Sequence, residues 1–224
     1  MKLKDILSPS FKDYRRPQKS IVEVRTDSDF CETAVSQGWL TTEQMTSAAE
    51  RYRLGRSRSG KTIFWMIDEL GIVRDGHIGS GWVSQMLKAR EPALMRYLTV
   101  SHCLFGLHLT AADETGLKPV AIVESERTAV VLSELAPESL WLSTACDSIF
   151  TVDMLEPLAG RKITVFPHTD PTMSNYVAWL EIADFAKRNC AIDITVQDIL
   201  EENATDEQKS RCIDILDYIL ESDQ

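Results

Sequence analysis

The sequence has few cysteines and no long apolar segment. Its five cysteines are far apart and form no CxxC pair: Cys31, Cys103, Cys146, Cys190 and Cys212. This spacing argues against a disulfide framework or a zinc site and favours a reducing cytoplasm. The longest stretch without a charged residue, residues 97–112, is too short and too polar to span a bilayer. The first residues, Met-Lys-Leu-Lys-Asp, contain no apolar h-region, so we expect no secretory signal. We therefore predict a cytoplasmic protein that makes no contact with a membrane.

Positive charge is scarce in the second half of the chain. Residues 1–110 carry 16 basic and 12 acidic side chains, whereas residues 111–224 carry 8 basic and 22 acidic ones. The formal net charge of −10 is therefore divided into +4 and −14. The second half would repel a nucleic-acid backbone, so only the first half is suited to hold one. Most carboxylates of the second half are expected to form a solvated surface.

Residues 1–110 are predicted to form a small α+β region. Its successive segments are an extended arm, two helices, a β-hairpin and a further helical segment: residues 1–27, 28–54, 62–74 and 82–98. Thr41 and Gln44 fit a capping box at the start of the second helix. The hairpin begins with the β-branched and aromatic run TIFWMI, which is typical of a strand.

Residues 111–224 are predicted to form an α/β domain. Four apolar strand candidates alternate with helical segments along this part of the chain. The strand candidates are residues 119–123, 139–145, 162–166 and 191–196. The helical segments are residues 126–135, 152–158, 175–189 and 206–221. This alternation favours a parallel four-stranded sheet with helices on both faces.

Residues 55–62 (GRSRSGKT) match the phosphate-binding loop pattern GxxxxGK[ST] at every position. In a true phosphate loop, the lysine and threonine open a helix whose N-terminus faces the phosphates. Here a helical segment precedes the loop and the TIFWMI strand follows it, so we expect no ATP site. Five basic side chains with no acid between them still form an anion-binding candidate: Arg51, Arg53, Arg56, Arg58 and Lys61. We predict that nucleic acid contacts this basic segment, residues 51–61.

Acidic side chains follow the first and third strand candidates. Glu124 comes directly after the first strand, and Asp170 lies shortly after the third. With the strand order 2-1-3-4, ligands bind beyond the carboxyl ends of strands one and three. Because a divalent cation needs several oxygen ligands, Glu124 and Asp170 are candidates for a metal cradle, with Asp147 as an outer acid. The spacing equally allows Glu124 and Glu126 to stabilise the next helix terminus, and Asp170 to begin an ordinary turn.

Several segments together resemble one family. Residues 123–129 (VESERTA) resemble the first Toprim motif, in which a hydrophobic strand runs into Glu-Gly-Glu and a short helix. Residues 165–170 (VFPHTD) resemble the second motif, a strand that ends in Asp-x-Asp. Residues 61–79 and 104–108 resemble the hairpin and the short element that precede the Toprim core of bacterial replicative primases. The resemblance covers residues 50–196 and is closest to the primase-like Toprim proteins of bacterial mobile elements.

The chain also departs from the Toprim pattern. Ser125 replaces the glycine after the first motif glutamate, His168 replaces the first aspartate of Asp-x-Asp, and residues 143–146 replace a glycine-containing loop. The zinc-binding module that delivers template in the family is missing from this sequence. The resemblance implies a metal site formed by Glu124, His168 and Asp170, with Glu124 and Asp170 as the catalytic residues. Because histidine suits Mg²⁺ poorly, we expect weak binding of Mg²⁺ or Mn²⁺.

The resemblance leaves two functions open. In the first, the chain is a degenerate primase-like Toprim protein that binds nucleic acid or a replication partner, with the basic segment as the contact. In the second, it is an active metal-dependent nucleotidyl transferase or nuclease that uses Glu124 and Asp170. The missing zinc module, the histidine at position 168 and the acidic second half favour the first. The sequence predicts no particular oligomeric state.

Overall fold

The computed structural model of the chain describes residues 23–90, 102–145 and 150–222. The chain divides into two units, Met1–Ala112 and Asp113–Gln224. Most of the predicted N-terminal arm, the end of the helix predicted for residues 82–98 and Asp147 lie outside the described residues. In the described part of the chain, no helix is both long enough and apolar enough to cross a membrane.

Two helices open the N-terminal unit, α1 (Asp29–Ser36) and α2 (Thr42–Tyr52). The predicted capping box is confirmed, because the Thr41 hydroxyl accepts a hydrogen bond from the Gln44 amide at 3.2 Å. The Gln44 side chain in turn accepts one from the Thr41 amide at 2.9 Å. These bonds satisfy main-chain donors that the helix itself cannot pair. After α2, Arg53 takes a left-handed conformation (φ 56°) that ends the helix and redirects the chain.

A four-stranded antiparallel sheet follows these helices. Its strands, in both chain order and spatial order, are β1 Gly55–Arg56, β2 Thr62–Ile67, β3 Val73–Ile78 and β4 Gly81–Trp82. The predicted hairpin is confirmed, with Phe64 of β2 opposite His77 of β3. All residues of β2 are buried, so both faces of this strand are covered. Helix α3 (Val83–Arg90) and a 3₁₀-helix (Leu107–Ala112) also belong to this unit.

Aromatic side chains connect the helices of this unit to its sheet. Tyr52 at the end of α2 stacks on Phe105, with ring centroids 5.1 Å apart. Phe64 of β2 meets the same Phe105 ring edge-on at 5.7 Å and contacts Phe30 of α1 at 5.6 Å. Such buried ring pairs add to the area that each side chain removes from water. They fix the end of α2, and therefore the start of the basic segment, against the sheet.

The C-terminal unit contains the predicted parallel sheet. Its strands are β5 Val120–Val123, β6 Leu140–Ser143, β7 Ile163–Val165 and β8 Ile194–Val196, in the spatial order β6-β5-β7-β8. All neighbouring pairs are parallel, which confirms the predicted α/β class. The residues of β5 are all buried, as expected for a central strand with both faces covered. Helix α4 (Glu126–Leu135) follows β5, and helix α5 (Ser174–Cys190) follows β7.

Of two further predicted helices, one is confirmed and one is wrong. Val152–Leu158 forms a helix with the predicted bounds; it is of the 3₁₀ type, and Pro157 within it lacks a main-chain donor. The single C-terminal helix predicted for residues 206–221 is wrong. These residues instead form two short helices, α7 Asp206–Ser210 and α8 Ile215–Ser222, and a further short helix, α6 Ile199–Asn203, precedes them. Cys212 interrupts the predicted helix with a φ of 52°, and Asp214 caps α8 by accepting a hydrogen bond from the Leu216 amide at 2.9 Å.

Candidate functional site at the carboxyl edge of the parallel sheet

The strand order of the C-terminal unit creates a crevice at the carboxyl ends of β5 and β7. The chain passes from β5 to β6 on one side and then to β7 on the other side, so the order reverses beside β5. Connections that diverge in this way leave space beyond the strand ends, where α/β proteins bind ligands. Glu124 directly follows β5, and His168 lies three residues after β7. Both predicted site residues therefore lie at the switch point.

The Glu124 carboxylate is bound by two side chains from the β7 side of the crevice. Glu124 is only 8% exposed. Its Oε2 atom contacts Nδ1 of His168, and its Oε1 atom accepts a hydrogen bond from the side-chain amide of Asn175. Asn175 lies in the first turn of α5, and the same amide nitrogen is 3.2 Å from the His168 carbonyl oxygen. The three side chains form a closed group, which we call the Glu124 cluster.

The Glu124 cluster determines the tautomer of the His168 ring. Because Nδ1 faces a carboxylate oxygen, Nδ1 carries a proton that it donates to Glu124, and Nε2 is the second polar atom of the ring. The pair is then either a neutral imidazole bound to a carboxylate or an ion pair. In both states the Nδ1–H group donates a hydrogen bond to Glu124 and offsets part of the negative charge of the carboxylate. The pair therefore attracts a divalent cation less strongly than two carboxylates would.

The Asp170 carboxylate is directed toward its own turn. One oxygen accepts hydrogen bonds from the Thr172 amide at 2.8 Å and the Thr172 hydroxyl at 2.5 Å. The other accepts hydrogen bonds from the Asn175 amide at 2.9 Å and the Ser174 hydroxyl at 3.1 Å. Burial by itself would raise the pKa of Asp170, but these hydrogen bonds outweigh burial and hold the pKa below its usual value. Of the two roles that the spacing left open, these contacts are those of a turn that caps α5.

These contacts do not fit a magnesium ion. Mg²⁺ requires nearly octahedral coordination by hard oxygen atoms. Glu124 and Asp170 each have both carboxylate oxygens engaged by protein donors, and His168 supplies a nitrogen. Across the residues that the structure describes, no group of three or more His, Cys, Asp or Glu side chains is placed to hold a metal ion. A cation at these oxygens would compete with the hydrogen bonds already present.

Ser143, the last residue of β6, contacts the main chain of Glu124. The Ser143 hydroxyl donates a hydrogen bond to the Glu124 carbonyl oxygen at 2.9 Å and accepts one from the Ala145 amide at 3.0 Å. Ala145 has a φ of 66°, a left-handed conformation that favours glycine. Asp147, the predicted outer acid, lies outside the described residues.

The basic segment of the N-terminal unit runs from the end of α2, through β1, to the residue before β2. Its predicted contact residues differ in exposure: Arg51, Arg58 and Lys61 are exposed, and Arg53 and Arg56 are half-buried. The first two arginines line a cavity of this unit. The other three basic residues flank or form the turn that joins β1 to β2. The segment therefore offers positive charge at two places, the cavity and the turn.

Thr62, the last residue of the phosphate-loop pattern, is buried in a hydrogen-bond network. Its amide donates to the Asp29 carboxylate at 2.8 Å. Its hydroxyl lies 2.8 Å from the same carboxylate oxygen and 2.7 Å from the Ser28 hydroxyl. As predicted, Lys61 and Thr62 lead into a strand, whereas a phosphate loop leads into a helix. The hydroxyl that would approach a metal in a phosphate loop instead links β2 to the start of α1.

Comparison with known proteins gives a family without an assigned activity. No curated protein and no solved structure matches the chain. The model of a family described as a domain of unknown function, DUF6371, matches residues 29–169. The match covers more than half of the chain, from the start of α1 to the residue after His168, and includes Glu124. The chain therefore belongs to the DUF6371 family of domains of unknown function.

Proposed function

We propose that the chain is a primase-like Toprim protein with a degenerate metal site, which binds nucleic acid through the basic segment of its N-terminal unit. The parallel sheet of order β6-β5-β7-β8 supports the Toprim part of this proposal, because it brings the two motif segments to one crevice. Ala145 supports it as well, since this residue has a glycine-like φ in the loop where the Toprim pattern has a glycine.

The main support for a degenerate metal site is the contact between Glu124 and His168. The Toprim pattern has an aspartate where this chain has His168. Two carboxylates at contact distance repel each other, and a cation between them relieves the repulsion. Histidine removes this requirement, because its Nδ1–H group satisfies the glutamate without a metal ion. The Glu124 cluster is therefore held together by hydrogen bonds between protein groups alone.

The charge distribution supports nucleic-acid binding by the N-terminal unit. Residues 111–224 carry 8 basic and 22 acidic side chains, a balance that repels phosphate. The N-terminal unit presents Arg51, Arg58 and Lys61 as exposed cations within one short segment. Each phosphate that a cation neutralises on duplex DNA releases about 0.9 of a counterion, and slightly less on a single strand. Binding through this segment should therefore weaken steeply as salt is added.

Salt-dependent binding tests this proposal. The affinity for a labelled single-stranded oligonucleotide is measured by fluorescence anisotropy over a range of salt concentrations. Arg58→Ala and Lys61→Ala should each reduce the magnitude of the slope of log K against log [salt] by about 0.7, because each removes one phosphate contact on a single strand. Arg188→Ala is the matched control, since Arg188 is an exposed arginine of the acidic unit. Equal slopes for all proteins, or no binding at low salt, would contradict the proposal.

The alternative function is an active metal-dependent nucleotidyl transferase or nuclease. It requires Glu124 and Asp170 as available ligands, but protein donors occupy both carboxylates. We therefore expect primer-synthesis and nuclease assays with Mg²⁺ or Mn²⁺ to show no activity that depends on Glu124. An activity that is present in the wild type and lost in Glu124→Gln would favour the alternative.

A further inference from the structure

The outer face of α5 carries apolar side chains that contact solvent. The inner face of this helix is buried, as expected for a helix that packs beside a sheet. On the outer face, Met173 is 41% exposed and Val177 is 47% exposed. The Val177 amide donates a hydrogen bond to the Met173 carbonyl oxygen at 3.0 Å, so the two residues lie one turn apart on the same side. Together with two half-buried neighbours they form an apolar surface, which we call the α5 stripe: Met173, Tyr176, Val177 and Leu180.

Two exposed carboxylates border the α5 stripe. Burial raises the pKa of Tyr176, and the carboxylates of Asp198, Glu201 and Glu202 raise it further. These three acidic side chains therefore lie near the Tyr176 hydroxyl. Glu201 pairs with Lys209 at 3.8 Å, whereas Asp198 and Glu202 are exposed. Because negative charge lies beside apolar groups, this surface suits a partner that brings both positive charge and apolar side chains.

Met173 is unfavourable in two respects while its side chain faces water. Its φ of 58° is a left-handed conformation, which strains the backbone of a residue that has a Cβ atom. Its side chain makes no capping hydrogen bond, although it occupies a helix N-cap, where asparagine or glycine is preferred. Strained residues are concentrated at functional sites, and flexible methionine side chains are common at protein-binding surfaces. These features favour a role for the Met173 side chain in binding a partner.

The charge of the chain identifies the kind of partner. Residues 111–224 carry 8 basic and 22 acidic side chains, so this unit repels nucleic acid, an anionic membrane and the same unit of a second copy. Residues 1–22, which lie outside the described part of the chain, carry six basic and two acidic side chains. The same segment contains apolar side chains: Leu3, Ile6, Leu7, Phe11 and Tyr14. Residues 1–22 therefore combine the positive charge and the apolar groups that suit the α5 stripe.

We propose that the α5 stripe binds residues 1–22 of a second copy of this chain. The apolar side chains of the segment cover Met173 and Val177, and its basic side chains lie beside Asp198 and Glu202. Two copies that exchange their segments use both surfaces, so the assembly closes as a dimer. The contact involves neither the basic segment, residues 51–61, nor the Glu124 cluster, and it therefore goes beyond the proposed function.

Sedimentation velocity of the full chain over a range of concentrations measures this association, and the wild type should form dimers. Met173→Gly should weaken the dimer at least about tenfold and should keep or raise the Tm, because glycine relieves the left-handed strain while the apolar side chain is lost. Leu135→Ser is the matched control, an exposed leucine at the end of α4, and should leave the association unchanged. Right-handed crossovers place α4 and α5 on opposite faces of the sheet. A wild type that stays monomeric, or dimers that Met173→Gly does not weaken, would overturn the proposal.

An exchange of charges tests whether the segment and the surface belong to different copies. One protein carries Arg15→Glu and Arg16→Glu, and the other carries Asp198→Lys and Glu202→Lys. Each protein alone should associate at least about tenfold more weakly than the wild type, because like charges meet at the contact. A mixture of the two should regain the dimer, since each segment then meets a surface of opposite charge. Glu138→Lys, at an exposed position after α4, changes the net charge as Glu202→Lys does and should leave the association unchanged. A mixture that stays monomeric would overturn the proposal, as would a dimer that Glu138→Lys weakens as much as Glu202→Lys.

Discussion

Replacement of Asp170 measures how much its hydrogen bonds to the start of α5 contribute to the free energy of unfolding. Asp170→Ala removes the acceptor of four hydrogen bonds. The Thr172 and Ser174 hydroxyls are able to rotate toward other partners, but the Thr172 and Asn175 amides are fixed by the main chain. Thr172 is exposed and Asn175 is half-buried, so water takes over part of the lost bonding, and the loss resembles that of a helix cap, which costs about 0.5–2 kcal/mol. For the two amides together, we expect the free energy of unfolding to fall by roughly 1–2 kcal/mol.

Urea unfolding followed by tryptophan fluorescence measures this change. Trp179 of α5 is 1% exposed and packs against Phe150, with ring centroids 4.5 Å apart, so it reports on the helix that Asp170 caps. Asp184→Ala is the matched control on the same helix, because Asp184 forms an exposed ion pair with Arg188. The loss of such an exposed pair should cost less than about 1 kcal/mol. An effect of Asp170→Ala no larger than that of the control would refute the capping role and leave the carboxylate available to a ligand.

The lowered pKa of Asp170 also predicts a pH dependence. Its pKa in the folded protein lies below the value of about 3.9 for an unfolded aspartate. The ionised carboxylate therefore stabilises the fold above about pH 4, and this stabilisation is lost as the pH falls through the folded pKa. Asp170→Ala lacks the contribution at every pH. The difference between wild type and variant should thus be largest near neutral pH and should shrink below about pH 4.

Two further substitutions test the two units separately. Thr62→Val keeps the side-chain shape but removes the hydroxyl next to Asp29 and Ser28. The free energy of unfolding should fall by about 1–3 kcal/mol; an unchanged Tm would contradict the network. Ala145→Gly should stabilise the protein by about 0.5–1 kcal/mol, because the strain of a left-handed alanine, roughly 1–2 kcal/mol, exceeds the entropic cost of glycine, about 0.4–1 kcal/mol. A lower Tm for Ala145→Gly would show that residue 145 is not strained.

Much of the fold follows from the pattern of apolar residues. In the C-terminal unit, each strand candidate is a short apolar run between breaking residues, and each forms a strand of the parallel sheet. In the N-terminal unit, the run TIFWMI is short, aromatic and β-branched, which favours a strand despite the phosphate-loop pattern before it. Periodicity and side-chain shape are local properties of the chain, so the sequence contains this information.

The C-terminal helix was predicted wrongly because its break has a tertiary cause. Residues 206–221 have helical periodicity, which favours one continuous helix. In the structure, the Ile213 carbonyl oxygen accepts a hydrogen bond from the Thr169 amide, and the Asp214 carboxylate accepts one from the Thr128 hydroxyl. These contacts tie the segment to α4 and to the loop after β7, and the chain turns at Cys212 to reach them. Helix propensity depends on the local sequence alone, so it does not indicate where these partners lie in the fold.

The candidate site was predictable only where it depends on strand ends. Glu124 and His168 follow neighbouring parallel strands, whose carboxyl ends meet at one edge of the sheet. Asn175 was not predicted, because its contact with Glu124 depends on the direction in which α5 leaves its turn. The role of Asp170 stayed open for the same reason, since spacing places a carboxylate near the crevice but does not determine which donors it meets. The one feature of the sequence that could have indicated Asn175 was its position in the first turn of the helix that follows residues 165–170.

The central claim is that the Glu124 carboxylate is bound by the Nδ1–H group of His168 and not by a metal ion. In His168→Asp a second carboxylate replaces the imidazole beside Glu124, so the two like charges repel and destabilise the fold in the absence of a cation. Mg²⁺ prefers two carboxylates to a carboxylate and an imidazole, and should bind this variant more tightly than the wild type. At a tenfold excess over its dissociation constant, the bound ion contributes about 1.4 kcal/mol to the free energy of unfolding.

Thermal unfolding of the wild type and of His168→Asp during a Mg²⁺ titration tests this claim most directly. A parallel titration with Mn²⁺, which tolerates nitrogen ligands better, shows whether the imidazole itself takes part in binding. We predict that His168→Asp starts with a lower Tm and regains stability as Mg²⁺ is added, whereas the Tm of the wild type stays constant at millimolar Mg²⁺. A wild-type Tm that rises with millimolar Mg²⁺, and no longer does so in Glu124→Gln, would contradict the claim.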